Sequence, residues 1–79
     1  MENVHYAEAR RRHRLGQAIH DRRKMLGLSQ AELARRAGIT QAALSRIELG
    51  GSTPTIGTLE HLAIALDAEL IIDFTPHVA

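Results

Sequence analysis

The sequence predicts an all-α fold: a small helical bundle followed by a single C-terminal β-strand. Three observations carry that prediction. Apolar residues recur at helical spacing in four successive stretches. Glycine, proline and hydroxyl residues separate those stretches where helices would start and stop. The last apolar stretch abandons the helical period for alternation. With 79 residues the chain is expected to be one domain or less than one, small enough to leave a thin stability margin.

The first helix ends at Gly27, a residue suited to a left-handed cap. Leu15, Ile19 and Leu26 recur along it, with Ala18 and Met25 beside them. Upstream, the run from Glu8 to Arg14 has no apolar face. It reads either as an extension of the helix or as a mobile basic arm.

The second helix opens at Ser29. Ser29 and Glu32 have the spacing of a capping box, in which each side chain takes the other's backbone N–H. Ala31, Leu33, Ala34 and Ala37 supply small packing residues, and Gly38 stops the helix. The third helix follows after two residues, with Thr40 as its N-cap. Ala43, Leu44 and Ile47 form its inward stripe, while Gln41, Ala42, Ser45 and Arg46 fall on the opposite side. Gly50 and Gly51 end it.

Pro54 disfavours helix at Thr53, and Thr55 caps the fourth helix. Ile56, Leu59, Leu62, Ala63 and Leu66 form its stripe. Beyond it, Leu70, Ile72 and Phe74 alternate with Glu69, Ile71 and Asp73, a strand pattern stopped by Pro76. A lone strand leaves its backbone groups without partners. A second copy would supply them: two tails paired antiparallel about a twofold axis make a homodimer, with Leu70, Ile72 and Phe74 as dimerisation residues.

Charge is distributed unevenly. All ten arginines and lysines lie in residues 1–50 beside five acids, a net +5. Residues 51–79 hold four acids and no Lys or Arg, a net −4. One end should attract polyanions and the other repel them.

Other function classes find little footing. His5, His13, His20, His61 and His77 do not form the i, i+4 pair of a helical zinc site, so no metal is expected. There is no nucleophile elbow and no Gly-rich phosphate loop, so neither an enzyme nor a cofactor is expected. Tyr6 and Phe74 are the only aromatic residues, too few for stacking single-stranded nucleic acid. With no cysteine, no secretory signal and no run of about 20 apolar residues, a soluble cytoplasmic protein without a membrane partner is expected.

Two helices joined tightly across Gly38 and Ile39 make a helix-turn-helix. The first helix of such a pair braces the second, which can enter a DNA major groove about 12 Å wide. From Ser29 to Leu66 the chain resembles the Cro/repressor-type (XRE-like) helix-turn-helix family of transcriptional regulators. The matching features are Ser29-Gln30, Leu33-Ala34, Gly38, Ser45 with Glu48 and Gly50, Pro54-Thr55, and Leu59 to Leu66. The tail resembles that of antitoxin-type members, which carry a strand after the last helix.

The resemblance implies a small lambda-repressor-like bundle that binds double-stranded DNA as a homodimer on a pseudo-palindromic operator. It implies that Gln30, beside Ser29, bonds a backbone phosphate. Base reading falls on Gln41, Ala42, Ser45 and Arg46 after Thr40, and phosphate contact on the loop holding Ser52 and Thr53. Arg23 and Glu48 match a structural ion pair. Leu49 departs from the family, many of whose members have a polar residue there. Arg10 and Arg14 read as DNA contacts if the basic run is an arm, and as solvated helix if it is not. The expected organisation is therefore a basic arm or helix extension over residues 1–14, a helix-turn-helix domain over 15–66, and a dimerising strand and tail over 67–79. An alternative function is an antitoxin that binds a toxin protein and autoregulates its operon.

Overall fold

The computed structural model describes residues 3–77; Met1, Glu2, Val78 and Ala79, the ends of the two terminal segments, lie outside the described residues. Four helices follow in order: α1 (Val4–Met25), α2 (Gln30–Ala37), α3 (Gln41–Glu48) and α4 (Ile56–Ala65). α1 packs on α3, and α2 packs on both α3 and α4. Leu33 of α2, Leu44 of α3 and Leu62 of α4 are fully buried at the centre. Ile19, Ala34, Ala37, Ile47 and Leu66 complete the core.

The basic run is helical. α1 begins at Val4, where the Asn3 side chain accepts from the backbone N–H groups of His5 and Tyr6. Arginine and alanine are good helix formers, so the run needs no apolar face to continue the helix. Arg12 also ties it to the body, donating from Nε to the Gly50 carbonyl at 3.3 Å.

The N-caps form at the expected residues. Ser29, Thr40 and Thr55 accept from the backbone N–H of Glu32, Ala43 and Thr58. Only half of the capping box at Ser29 is used. The Glu32 carboxylate is held instead by Arg35 and Arg36. Those two guanidinium groups pull its carboxyl down from 4.5 to about 2.

Each helix ends in the same hydrogen-bond pattern, in which two successive N–H groups reach back to carbonyls of the last turn. α1, α2 and α3 place glycine at the left-handed position; α4 places Asp67 there, at φ 50°. The apolar stripes read from the sequence are wider than the core. Ala31, Met25, Leu26 and Ile56, each in the first or last turn of its helix or at its cap, are exposed.

The predicted C-terminal strand is not formed, and among the described residues there is no strand at all. Residues 68–77 follow α4 without regular structure. Alternation gives that segment a strand-like side-chain pattern, but a strand also needs a neighbour for its backbone groups. The backbones of four helices are bonded internally and offer no sheet edge. Leu70 alone of the expected strand residues is half-buried, lining an apolar groove with Leu15, Leu59 and Leu66. Ile72 and Phe74 are exposed. No helix among the described residues is long and apolar enough to cross a membrane.

Candidate nucleic-acid interface

α2 and α3 meet across Gly38 and Ile39 as a helix-turn-helix. Leu44 and Ile47 are buried, which fixes the rotation of α3 about its axis. That rotation leaves Thr40, Gln41, Ala42 and Arg46 exposed and Ser45 half-buried. The Arg46 side chain lies over Gly51; a Cβ added there would stand 3.2 Å from Arg46 Cγ. The exposed face is thus polar, basic at one end, and presented by a helix capped at both ends.

A buried ion pair locks α3 to α1. Arg23 Nε donates to Glu48 Oε2 at 2.8 Å and Arg23 Nη2 to Oε1 at 3.1 Å. Arg23 Nη1 donates to the Leu28 carbonyl at 2.9 Å, which fixes the turn before α2. Both side chains are over nine-tenths buried, so the bidentate geometry and the extra bonds are what make the pair tolerable. Burial pushes the Glu48 carboxyl up, but hydrogen bonds from Arg23, His20 and Gln30 outweigh it and hold the group below its ordinary value.

Gln30, the expected phosphate ligand, belongs to this cluster. Its Nε2 donates to Glu48 Oε1 at 3.2 Å. Gln30 and Ser45 line one cleft with Gln17, His20, Glu48 and Leu49. Two site residues read from different helices are therefore brought together, next to the exposed face of α3. Ser52 and Thr53 sit in the loop after α3, where their side chains hydrogen-bond to nothing among the described residues. Arg10 and Arg14 are exposed on α1 and line neither this cleft nor the loop. Arg11 and Arg12 instead share a second cleft with Thr53 and Pro54.

Sequence reasoning missed three residues. His20 was one of five histidines without a pattern, yet its Nδ1 lies 2.9 Å from Glu48 Oε1. Arg22 donates to the carbonyls of Leu66 and Asp67, both at 3.0 Å, and so joins α1 to the end of α4. No local signal marks either one, since each partner is far away in the chain. Gly16 did carry a signal: a glycine inside a helical pattern costs about 1 kcal/mol relative to alanine, which calls for a packing reason. It is buried against the last turn of α3.

Residues 19–71 match the helix-turn-helix family HTH_3. The HTH-type transcriptional regulator y4dL of Sinorhizobium fredii is 39% identical over 56 residues, covering 71% of this chain and 29% of that protein. The antitoxin HigA1 of Mycobacterium tuberculosis is 41% identical over 63 residues, covering 80% of this chain and 42% of that protein. The chain thus spans less than half the length of both relatives. Among solved structures, the restriction-modification controller protein C.AhdI of Aeromonas hydrophila superposes with a TM-score of 0.75 at 31% identity, over 85% of this chain and 93% of that one.

Proposed function

Because the chain belongs to the HTH_3 helix-turn-helix family, we propose that it is a sequence-specific, double-stranded DNA-binding transcriptional regulator. It acts as a homodimer on a pseudo-palindromic operator. The observation that carries this reading is the outward polar face of α3, with Gln41, Ala42 and Arg46 exposed on a helix whose rotation is set by Leu44, Ile47 and the Arg23–Glu48 pair. A glutamine pairs bidentately with adenine, an arginine with guanine, and an alanine methyl touches a thymine methyl. Gln30, Ser52 and Thr53 supply phosphate contacts that set the register. Arg10 and Arg14 add longer-range attraction.

Dimerisation uses apolar side chains of α4 and the tail without a strand. Ile64 is 77% exposed, Ile72 58% and Phe74 96%, and Leu70 lines an apolar groove with Leu15, Leu59 and Leu66. Such a surface on so small a chain is suited to a second copy. Half-sites would lie about one helical turn apart.

Selection of bound duplexes from a random pool tests the proposal. A recovered motif with twofold symmetry is expected; a pool that stays random after enrichment would reject sequence-specific binding. The similarity to HigA1 favours a second reading, in which the same surface of α4 and tail binds a toxin protein and DNA binding autoregulates the operon. Affinity capture from the native lysate separates the two. A stoichiometric protein whose toxicity the chain relieves supports the second reading, and its absence supports the first.

A further inference from the structure

Glu48 Oε1 is crowded. Three nitrogen atoms from three side chains approach it: His20 Nδ1 at 2.9 Å, Arg23 Nη2 at 3.1 Å and Gln30 Nε2 at 3.2 Å. A carboxylate oxygen offers about two good acceptor sites. Arg23 is held independently, by Glu48 Oε2 and the Leu28 carbonyl. The competition is therefore between His20 and Gln30.

His20 has three ways to sit here. Its Nδ1 also lies 3.2 Å from Arg23 Nη2. As a neutral ring with its proton on Nε2, it accepts from Arg23 at Nδ1 and leaves Glu48 Oε1 to Gln30; as a neutral ring with its proton on Nδ1, it donates to Glu48 Oε1 in competition with Gln30. As an imidazolium, it must donate from Nδ1, and Glu48 Oε1 is the acceptor in reach. Gln30 Nε2 then loses its acceptor. The charged groups facing His20 are Arg23 from α1 and Glu48 from α3; α2 contributes only the neutral Gln30. The His20 side chain is 41% exposed and lines the cleft that Gln30 and Ser45 share. Solvent protons and an incoming anion therefore both reach it.

We propose that His20 is a proton-linked positioning residue for Gln30, so that binding of a DNA phosphate in this cleft takes up a proton at His20. The inference rests on the DNA-binding reading. Protonation acts in two ways of the same sign. It removes the ring form that leaves Glu48 Oε1 to Gln30, which frees the Gln30 amide to donate to a phosphate, and it adds a positive charge beside that phosphate. By reciprocity, lower pH strengthens DNA binding and DNA binding favours the imidazolium.

The test has a DNA arm and a DNA-free arm. In the first, affinity for a random-sequence duplex of about 20 base pairs is measured at constant low salt from pH 8 to pH 5.5. The wild type should bind several-fold more tightly at the acid end. His20→Gln should flatten that dependence, and His13→Gln should keep it. A His20→Gln slope equal to the wild-type slope would overturn the proposal. In the second arm, the histidine rings and the Gln30 side-chain amide are followed by NMR in the free protein. The amide should shift with the same midpoint as the His20 ring; an amide that ignores the ring would overturn the switch. Absence of duplex binding at every pH, with the amide still following the ring, would instead remove the DNA-binding reading.

Discussion

Gly16 and Glu48 meet where the backbones of α1 and α3 touch. A Cβ at Gly16 would stand 2.8 Å from the Glu48 carbonyl carbon, and closer still to the Ile47 carbonyl oxygen. Both obstacles are backbone, so neither can rotate away. This approach sets how near α3 lies to α1, and it brings Arg23 within reach of Glu48.

Gly16→Ala is therefore expected to destabilise the fold by about 2–3 kcal/mol, although alanine is the better helix former. For a domain of this size that lowers Tm by roughly 10 °C or more. Urea denaturation with a wild-type slope and a reduced midpoint would confirm it. Unchanged stability would mean that the two backbones part without cost.

Glu48→Gln leaves the Arg23 charge buried without its counter-ion, and is expected to cost about 3 kcal/mol or more at neutral pH. The effect should depend on pH. The Glu48 carboxyl is held below its ordinary 4.5. A depressed value in the folded state contributes stability that is complete above the unfolded value and lost as pH falls through the folded one. Wild-type and variant stabilities should thus converge as pH drops below about 4.5. Parallel stability curves down to acid unfolding would contradict that account.

Asp67 holds the left-handed position that glycine holds at the other three helix ends. Asp67→Gly should raise stability by about 0.5–1 kcal/mol, since a side chain at positive φ is strained. A higher melting temperature at equal DNA affinity is the expected result.

Arg46→Ala should weaken specific binding by roughly 1–3 kcal/mol and relax the preference at one base position of each half-site. Gln41→Ala should do the same at another position. A selection repeated with each variant reads both effects. A motif identical to that of the wild type would remove these side chains from base recognition.

Ile64→Asp places a charge on an exposed apolar surface and removes nothing from the core. It should leave the melting midpoint of the monomer nearly unchanged and raise the dimer dissociation constant at least tenfold. Analytical ultracentrifugation checks this. An unaltered constant would place the dimer contact elsewhere.

Local chemistry was enough to determine the four helices, because caps and apolar spacing act within a few residues. Ser29, Thr40 and Thr55 each accept the N–H their position implies. The outward face of α3 was legible for the same reason, since burying Leu44 and Ile47 must turn Gln41 and Arg46 away. Tertiary structure decided the rest. The tail has a strand's alternation but no edge to pair with. Gly16, His20 and Arg22 acquire their roles from partners 28 or more residues away, as in the contacts of His20 with Glu48 and of Arg22 with Leu66. A side chain's period is a property of its neighbours in sequence, whereas a close approach or a shared oxygen exists only after the helices have packed.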